Sequence, residues 1–261
     1  MSKAMQLRGQ TVLITGASSG IGEATAIAMA AKGARLVLLA RNEQNLKRVA
    51  QAVSAEGADA AMYAVDLADA DAVARVAAAI RADVGTPDII INSAGAGRWI
   101  PLLETSAEEA RQMIEVPYLA AVYVTCQFLA DMVSRGSGHL VNVTSPASFV
   151  VWPGACGYIA ARYALRGFTD ALRAELQGTG INITLVILGK VASPYWAHNP
   201  GSETKIPKLI ALITPTLTTE QAASVIMEGI ERNRCQIIRP VIFRLFLHTL
   251  FPGRAIRMIT R

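Results

Sequence analysis

Cysteine is scarce and scattered. Cys126, Cys156 and Cys235 form no C-x-x-C pair and show no metal-ligand spacing, which argues against a disulfide framework and a zinc site alike. His139, His198 and His248 are just as widely spread, so no metal is expected. Charge is sparse too: Asp, Glu, Lys and Arg make up 17% of the chain against 52% hydrophobic residues. That balance excludes global disorder and supplies a sizeable core. No run approaches the roughly 18 consecutive apolar residues that a bilayer crossing needs. Residues 1–261 contain no Ser/Gly linker, internal repeat or composition break, so a single domain is expected. The first ten residues hold Lys3 and Arg8 but no apolar core segment, so no cleaved leader is expected and the chain reads as cytoplasmic.

What is present begins at Thr11–Gly22, T-V-L-I-T-G-A-S-S-G-I-G. Val12, Leu13 and Ile14 form a short unbroken apolar run, suited to a strand buried on both faces. Gly16, Gly20 and Gly22 punctuate a turn, and Ile21, Ala24, Ile27, Ala28 and Ala31 then recur at helical spacing. Strand, glycine turn and helix in that order make an anion site, because the backbone can approach a diphosphate and the first helical N–H groups point at it. A glycine-rich loop without a ligand is the plainer alternative.

The alternation continues along the chain. Strands are expected at Arg35–Ala40, Ala60–Val65, Asp88–Asn92, His139–Thr144 and Asn182–Leu188. Helices are expected at Glu43–Glu56, at Asp69–Val84, from a Ser106/Glu109 capping box toward Met132, and at Gly157–Leu176. This pattern predicts an α/β fold: a Rossmann-type, doubly wound parallel β-sheet with helices on both faces. Ligands of such sheets sit beyond the carboxyl ends of the strands. Arg41, Asp66, Asn92 and Ser145 each follow an apolar run there.

The Gly-x3-Gly-x-Gly spacing, followed by A-V-D-L at 64–67, N-S-A-G at 92–95, V-N-V-T-S at 141–145 and Y-I-A-A-R at 158–162, resembles the short-chain dehydrogenase/reductase family over residues 10 to about 195. The resemblance implies an oxidoreductase using a nicotinamide dinucleotide. It places Gly16, Ser18, Ser19, Gly20, Ile21 and Gly22 at the cofactor turn, and Asp66 with the Leu67 backbone at adenine. Asn92, Ala94 and Gly95 form the turn supporting cofactor and central strand, and Val191 and Ser193 lie at the nicotinamide. A helix N-cap is the alternative role for Asp66. Arg41 stands where an acid would hold a ribose 2′-OH, so charge-assisted contacts to a 2′-phosphate, and hence NADP, are expected. A solvated arginine at a helix start is the alternative.

Ser145 and Tyr158 resemble the family's catalytic serine and tyrosine. A phenol titrating near 10 needs tuning, and a cation one helical turn away favours its anion. The family uses Lys there; this chain has Arg162, which keeps the charge but cannot release a proton. Pro117 replaces the usual Asn of the long helix and should kink that helix and free a carbonyl. Leu188-Gly189 replaces the usual Pro-Gly. These departures give weight to a rival reading, a dinucleotide-binding scaffold with little turnover.

Residues 190–218, with Pro194, Pro200, Pro207 and Pro215, read as a substrate lid. It carries Tyr195, Trp196, Ile206, Leu209, Ile210, Leu212 and Ile213. Trp99, Ile100, Phe149 and Trp152 are expected at the same end, an apolar mouth suited to a lipophilic ketone or secondary alcohol. Oligomer packing is the other use for such side chains, and the resemblance implies a homodimer or homotetramer built on the two long helices. The formal charge of +5 is concentrated in residues 231–261, where seven arginines face only Glu231. The tail 239–261 interleaves those arginines with large apolar residues, so attachment to a membrane surface is expected. No recognition motif accompanies the charge, and nucleic acid is not an expected partner.

Overall fold

A computed structural model describes residues 6–206, 212 and 214–243. Seven parallel strands make one sheet: β1 (Thr11–Thr15), β2 (Arg35–Ala40), β3 (Ala60–Ala64), β4 (Ile89–Asn92), β5 (Gly138–Thr144), β6 (Ile181–Leu188) and β7 (Gln236–Arg239), in the order β3-β2-β1-β4-β5-β6-β7. The chain winds outward from β1 in one direction and then returns to β4 on its other side. The β1–β4 seam is therefore where the connections on the two sides diverge, and a crevice opens there above the carboxyl ends.

Alternate side chains in each strand serve opposite faces. Val12 and Ile14 point to one core, with α1 (Gly20–Ala30), α2 (Glu43–Ala55) and α8 (Thr219–Glu231) packed over it through Met29, Leu46, Val49, Ala222 and Ile226. Leu13 points to the other, covered by Val73, Ala77 and Ile80 of α3 (Ala70–Asp83) and by Val124, Phe128 and Met132 of α5 (Ala120–Arg135). Leu172 of α6 (Cys156–Glu175) joins the second core. Both faces of the central strands are buried, which is why they read as unbroken apolar runs, while edge strand β3 stays partly exposed.

The expected doubly wound fold is present, with strand and helix limits close to those expected. Two elements were not foreseen. The helix α8 opens with a Thr218/Gln221 capping box, and β7 pairs with β6 from Leu185↔Gln236 to Leu188↔Arg239. That edge strand absorbs the start of the expected free tail. Arg239 lies in the sheet and pairs with Glu228 at 2.9 Å, and Phe243 is buried against Phe149. The rest of the tail, 244–261, lies outside the described residues, as do Leu209, Ile210 and Ile213 of the lid.

The Ser106 capping box is also present, opening α4 (Ala107–Ile114). Between α4 and α5 the helix is not sharply broken; Pro117 sits in a π turn, Glu115–Leu119. Proline has no N–H and its ring crowds the carbonyl four residues back, and one wider turn accommodates both. The continuous helix Ala107–Arg135 has a mean hydropathy of 1.4 over 18 residues, enough by length and composition to cross a bilayer. No single unbroken apolar run signals this in the sequence. Here its apolar side chains Ala120, Val124, Phe128 and Met132 are core residues against the sheet and α3.

His139 lies fully buried in β5. The Thr184 hydroxyl donates to the Arg234 carbonyl at 2.7 Å, so the His139 Nε2–H donates to Thr184 Oγ1 at 2.7 Å. Its Nδ1 has no partner among the described residues, and protonating it would bury a second N–H. Burial pushes the imidazole pKa from 6.5 down to about 4. The unfolded chain therefore binds a proton that the folded chain refuses, and this stabilisation, full above pH 6.5, is lost as pH falls toward 4. Equilibrium unfolding should lose on the order of 3 kcal/mol across that window from this group. His139→Gln should flatten the slope; an unchanged slope in the variant would assign it elsewhere.

Candidate active site

One cavity of about 820 Å³ runs along the carboxyl ends of the strands. Every expected catalytic or cofactor residue but one lines it: Gly16, Ser18, Ser19, Gly20, Ile21 and Gly22 after β1; Arg41 after β2; Asp66 and Leu67 after β3; Ala94 and Gly95 after β4; Ser145 after β5; Val191 and Ser193 after β6; and Tyr158 and Arg162 on α6. The exception is Asn92. Its buried side chain stands behind the wall, donating to Asn142 Oδ1 at 2.9 Å, while Asn142 donates to Thr169 of α6 at 2.8 Å. Asn92 supports the sheet and the helix carrying the catalytic candidates rather than the cavity surface.

Backbone crowding shapes the glycine turn. Gly16 has φ +67, and a Cβ on it would lie 2.8 Å from the Ala94 Cα. A Cβ on Gly22 would lie 2.3 Å from the Gly16 carbonyl oxygen. Thr15 Oγ1 accepts from the N–H groups of Ser93 and Ala94 at 3.0 and 3.1 Å, joining the N-S-A-G turn to the end of β1. Sequence reasoning did not single out Thr15; its place before the first glycine was the available signal. No side chain caps the N-terminus of α1, so its first N–H groups remain for a ligand.

Arg41 is exposed at the same end and makes no ion pair among the described residues. The following residue, Asn42, takes the capping role by accepting from Asn45 N at 2.8 Å. Asp66 is not the cap of α3. Asp69 is, accepting from Ala72 N at 3.0 Å, while Asp66 accepts only from Ala68 N in a local turn. The capping role weighed for Asp66 thus falls to Asp69, while Arg41, exposed one residue before the N-cap Asn42, has the position of both a solvated helix-start arginine and a phosphate contact.

Tyr158 lies in the first turn of α6 and its hydroxyl donates to Ser145 Oγ at 3.2 Å. Arg162, one turn on, is 6% exposed, with its guanidinium carbon 4.7 Å from the Tyr158 ring centroid. Its Nη2 donates to the Ala96 carbonyl at 3.3 Å, and a Cβ on Gly95 would stand 3.4 Å from that nitrogen. No carboxylate pairs with this buried cation among the described residues, and its Nε has no partner. A desolvated, uncompensated charge favours an anionic or hydroxyl-rich ligand beside it.

Beyond Tyr158 the wall turns aromatic. Trp99 contacts Trp152, Tyr158 and Trp196 at centroid distances of 4.9, 5.5 and 5.9 Å. Tyr195, on the short helix α7 (Tyr195–His198), donates to the Gly97 carbonyl at 2.8 Å. Burial, and secondarily its neighbour Tyr158, raises the Tyr195 pKa, so it stays a protonated donor. Lys205 reaches the Trp99 carbonyl and Lys190 pairs with Glu203 at 2.7 Å. The expected lid is thus pinned across the mouth, and its base is closed by a Val191↔Leu217 bridge. Two mouth assignments need correction. Phe149 belongs to a separate core with Leu185, Ile187 and Phe243, and Ile100 is buried away from the cavity wall. Both follow lining residues in sequence, but their loops turn them inward.

Residues 10–203 match the short chain dehydrogenase family. The chain belongs to that family. It is 37% identical over 229 residues to an uncharacterized oxidoreductase of Mycobacterium tuberculosis, covering 86% of this chain and 64% of the relative. It is 33% identical over 243 residues to the probable oxidoreductase EphD of Mycobacterium bovis, covering 88% of this chain and 40% of EphD. The chain therefore spans less than two thirds of either relative. Among solved structures, a Sphingobium yanoikuyae short-chain dehydrogenase in complex with NADPH superimposes with a TM-score of 0.83, at 26% identity, covering 95% of each chain. An alcohol dehydrogenase from Thermococcus sibiricus complexed with 5-hydroxy-NADP gives a TM-score of 0.77 at 25% identity, covering 88% of this chain and 96% of that one. The chain thus shares its family with these oxidoreductases and its fold with the two solved structures.

The glycine turn makes one expectation quantitative. Ala is the better helix former by about 1 kcal/mol, but a Gly22→Ala methyl would press on backbone, a clash worth roughly 1–3 kcal/mol. The clash should win. The urea midpoint of Gly22→Ala should fall below wild type, and a rise would mean that the turn relaxes freely.

Proposed function

We propose that this short-chain dehydrogenase is an NADP(H)-dependent oxidoreductase moving a hydride between nicotinamide and a lipophilic ketone or secondary alcohol. The observation that carries the reading is the Tyr158–Ser145 pair, 3.2 Å apart on the wall of the cavity that also holds the glycine turn and Arg41. The groups fit the cofactor. The uncapped α1 terminus and the close-packed glycines would accept a diphosphate, Arg41 would take a 2′-phosphate, and Asp66 with Leu67 would hold the adenine. Arg162 would hold the nicotinamide ribose, and Val191 and Ser193 would contact the nicotinamide. The bound cofactor supplies or accepts the hydride.

The protein's own part is proton and charge management. Ser145 donates to the substrate oxygen and stabilises the charge developing there. Tyr158 delivers the proton to that oxygen in reduction and removes it in oxidation. Arg162 holds positive charge beside the phenol in a dry wall, where it acts strongly. The aromatic mouth of Trp99, Trp152, Tyr195 and Trp196 prefers an apolar substrate body. The scaffold reading draws no support from relatives that are themselves described as oxidoreductases.

Steady-state oxidation of NADPH against a panel of apolar ketones tests the reading, with Tyr158→Phe as the control expected to bind NADPH and lose turnover. Tight binding without turnover on any ketone would favour a non-catalytic role. Arg41→Ala should weaken NADPH roughly ten- to hundredfold, the worth of one charge-assisted phosphate contact, and leave NADH nearly unchanged. Equal losses for both would remove the NADP assignment.

Arg162→Lys separates charge from proton transfer. Lysine keeps the cation, gives up the stacking on Tyr158 and the Ala96 contact, and regains a group able to release a proton. Proton transfer is the larger effect, so kcat should rise, by up to about tenfold, with a smaller change in NADPH affinity. A fall in kcat would show that arginine is a working adaptation to this site.

A further inference from the structure

The most exposed large apolar side chains are not scattered. Leu103 (102%), Leu212 (83%), Val151 (70%), Leu102 (66%) and Val241 (54%) stand well apart from the other three among the described residues, Met62, Val133 and Tyr163, at 36–37%. Those five lie on the four segments that frame the cavity. Leu102 and Leu103 form a short 3-10 turn just after Trp99. Val151 sits between Val150 and Trp152, which both line the cavity. Leu212 belongs to the lid, between the lining residues Ile206 and Thr214, and Val241 lies two residues before the lining Phe243. Single exposed hydrophobics need no explanation, but five of them on the segments at one edge of the sheet do.

We propose that this rim docks on an anionic lipid bilayer, seating the loop tips at the headgroup–acyl boundary and opening the cavity toward the membrane. Three observations favour a bilayer over a second copy of the chain. The apolar residues lie on four separate segments, after β4, β5, β6 and β7, at the carboxyl edge of the sheet where the cavity opens; a second copy seated there would close the mouth, whereas a fluid bilayer leaves a route for lipophilic molecules. The aromatic interior just behind the rim continues the apolar surface inward. Charge agrees as well. The chain carries +5 overall, and past Phe243 at the cavity wall come Arg244, Arg254, Arg257 and Arg261 with no acid. Each such arginine is attracted to anionic lipid. Within the rim segments themselves the acids are two: Glu203, paired with Lys190, and Glu104 beside Leu103. The delivery of a lipophilic substrate from the membrane rests on the function proposed above; the docking surface itself does not.

Flotation of the full chain with phosphatidylcholine/phosphatidylserine vesicles tests this. Wild type should float, and Leu102→Ser combined with Leu103→Ser should lower the bound fraction roughly tenfold or more, as should Val151→Ser to a smaller degree. Val133→Ser, an exposed apolar site on α5 away from the mouth, should float like wild type. NADPH turnover with a short, water-soluble ketone should be the same in all of them, because none of these side chains lines the cavity. Failure of wild type to float, or rim variants that float undiminished, would overturn the proposal. So would rim variants that turn a dimer into a monomer in light scattering, which would make the rim a contact between copies. Absent turnover with intact, rim-dependent flotation would count against the enzymatic reading and leave the docking surface standing.

Discussion

The site depends on one close approach of backbone to backbone. Gly16 and Ala94 meet at the seam between β1 and β4 at a distance that leaves no room for a Cβ on residue 16. Thr15 holds the two loops there with its hydroxyl, accepting from two successive N–H groups. The seam is also where the sheet reverses its order of winding, so the crevice above it is a consequence of topology rather than of any one loop. Once Gly16 turns the chain, Gly22 packs over the Gly16 carbonyl and α1 points its uncapped end into the crevice. The geometry that the proposed cofactor's diphosphate would use is thus set by packing before any charged side chain contributes.

Much of this was legible from the sequence because it rests on local rules. Apolar runs marked β1 to β6, since both faces of the sheet are covered, and the Ser106/Glu109 pair announced its helix through a capping box that the structure contains. Arg41, Asp66 and Ser145, expected after their strands, line one cavity because a parallel sheet puts all its carboxyl ends on one edge. What escaped depended on distant partners. The short β7 has four residues and ends in an arginine, so its sequence resembles the start of the basic tail; only the ladder to β6 and the Glu228 ion pair make it a strand. Phe149 and Ile100 follow cavity-lining segments, yet loop direction turns both inward, and direction is not written in hydrophobicity. Asn92 sits in a cofactor motif, but its amide is committed to Asn142.

Pro117 shows how a local rule meets tertiary constraint. Proline in a helix interior predicts a kink and a freed carbonyl. The flanking helices α4 and α5 are anchored, one by its capping box and its packing on α6, the other by Val124, Phe128 and Met132 in the core. A wide turn satisfies the proline while keeping both anchors, and a sharp kink would surrender one of them. The turn also sets Val116, beside the proline, on the cavity wall.

The cavity is graded in polarity from one end to the other, and Arg162 stands at the change. At one end are exposed Arg41, Asp66 and free helix N–H groups, suited to a charged ligand in water. At the other are Trp99, Trp152, Tyr195 and Trp196, with Tyr195 and Lys205 tying the lid to the loop after β4. Between them a guanidinium is buried without a carboxylate, held by one carbonyl and the face of Tyr158. Such a charge is costly to bury unless something at the site exploits it. A carboxylate partner would neutralise the field that acts on the neighbouring phenol. Leaving the cation unpaired keeps that field directed at Tyr158 and Ser145, where the proposed reaction would place the oxygen of a carbonyl undergoing reduction.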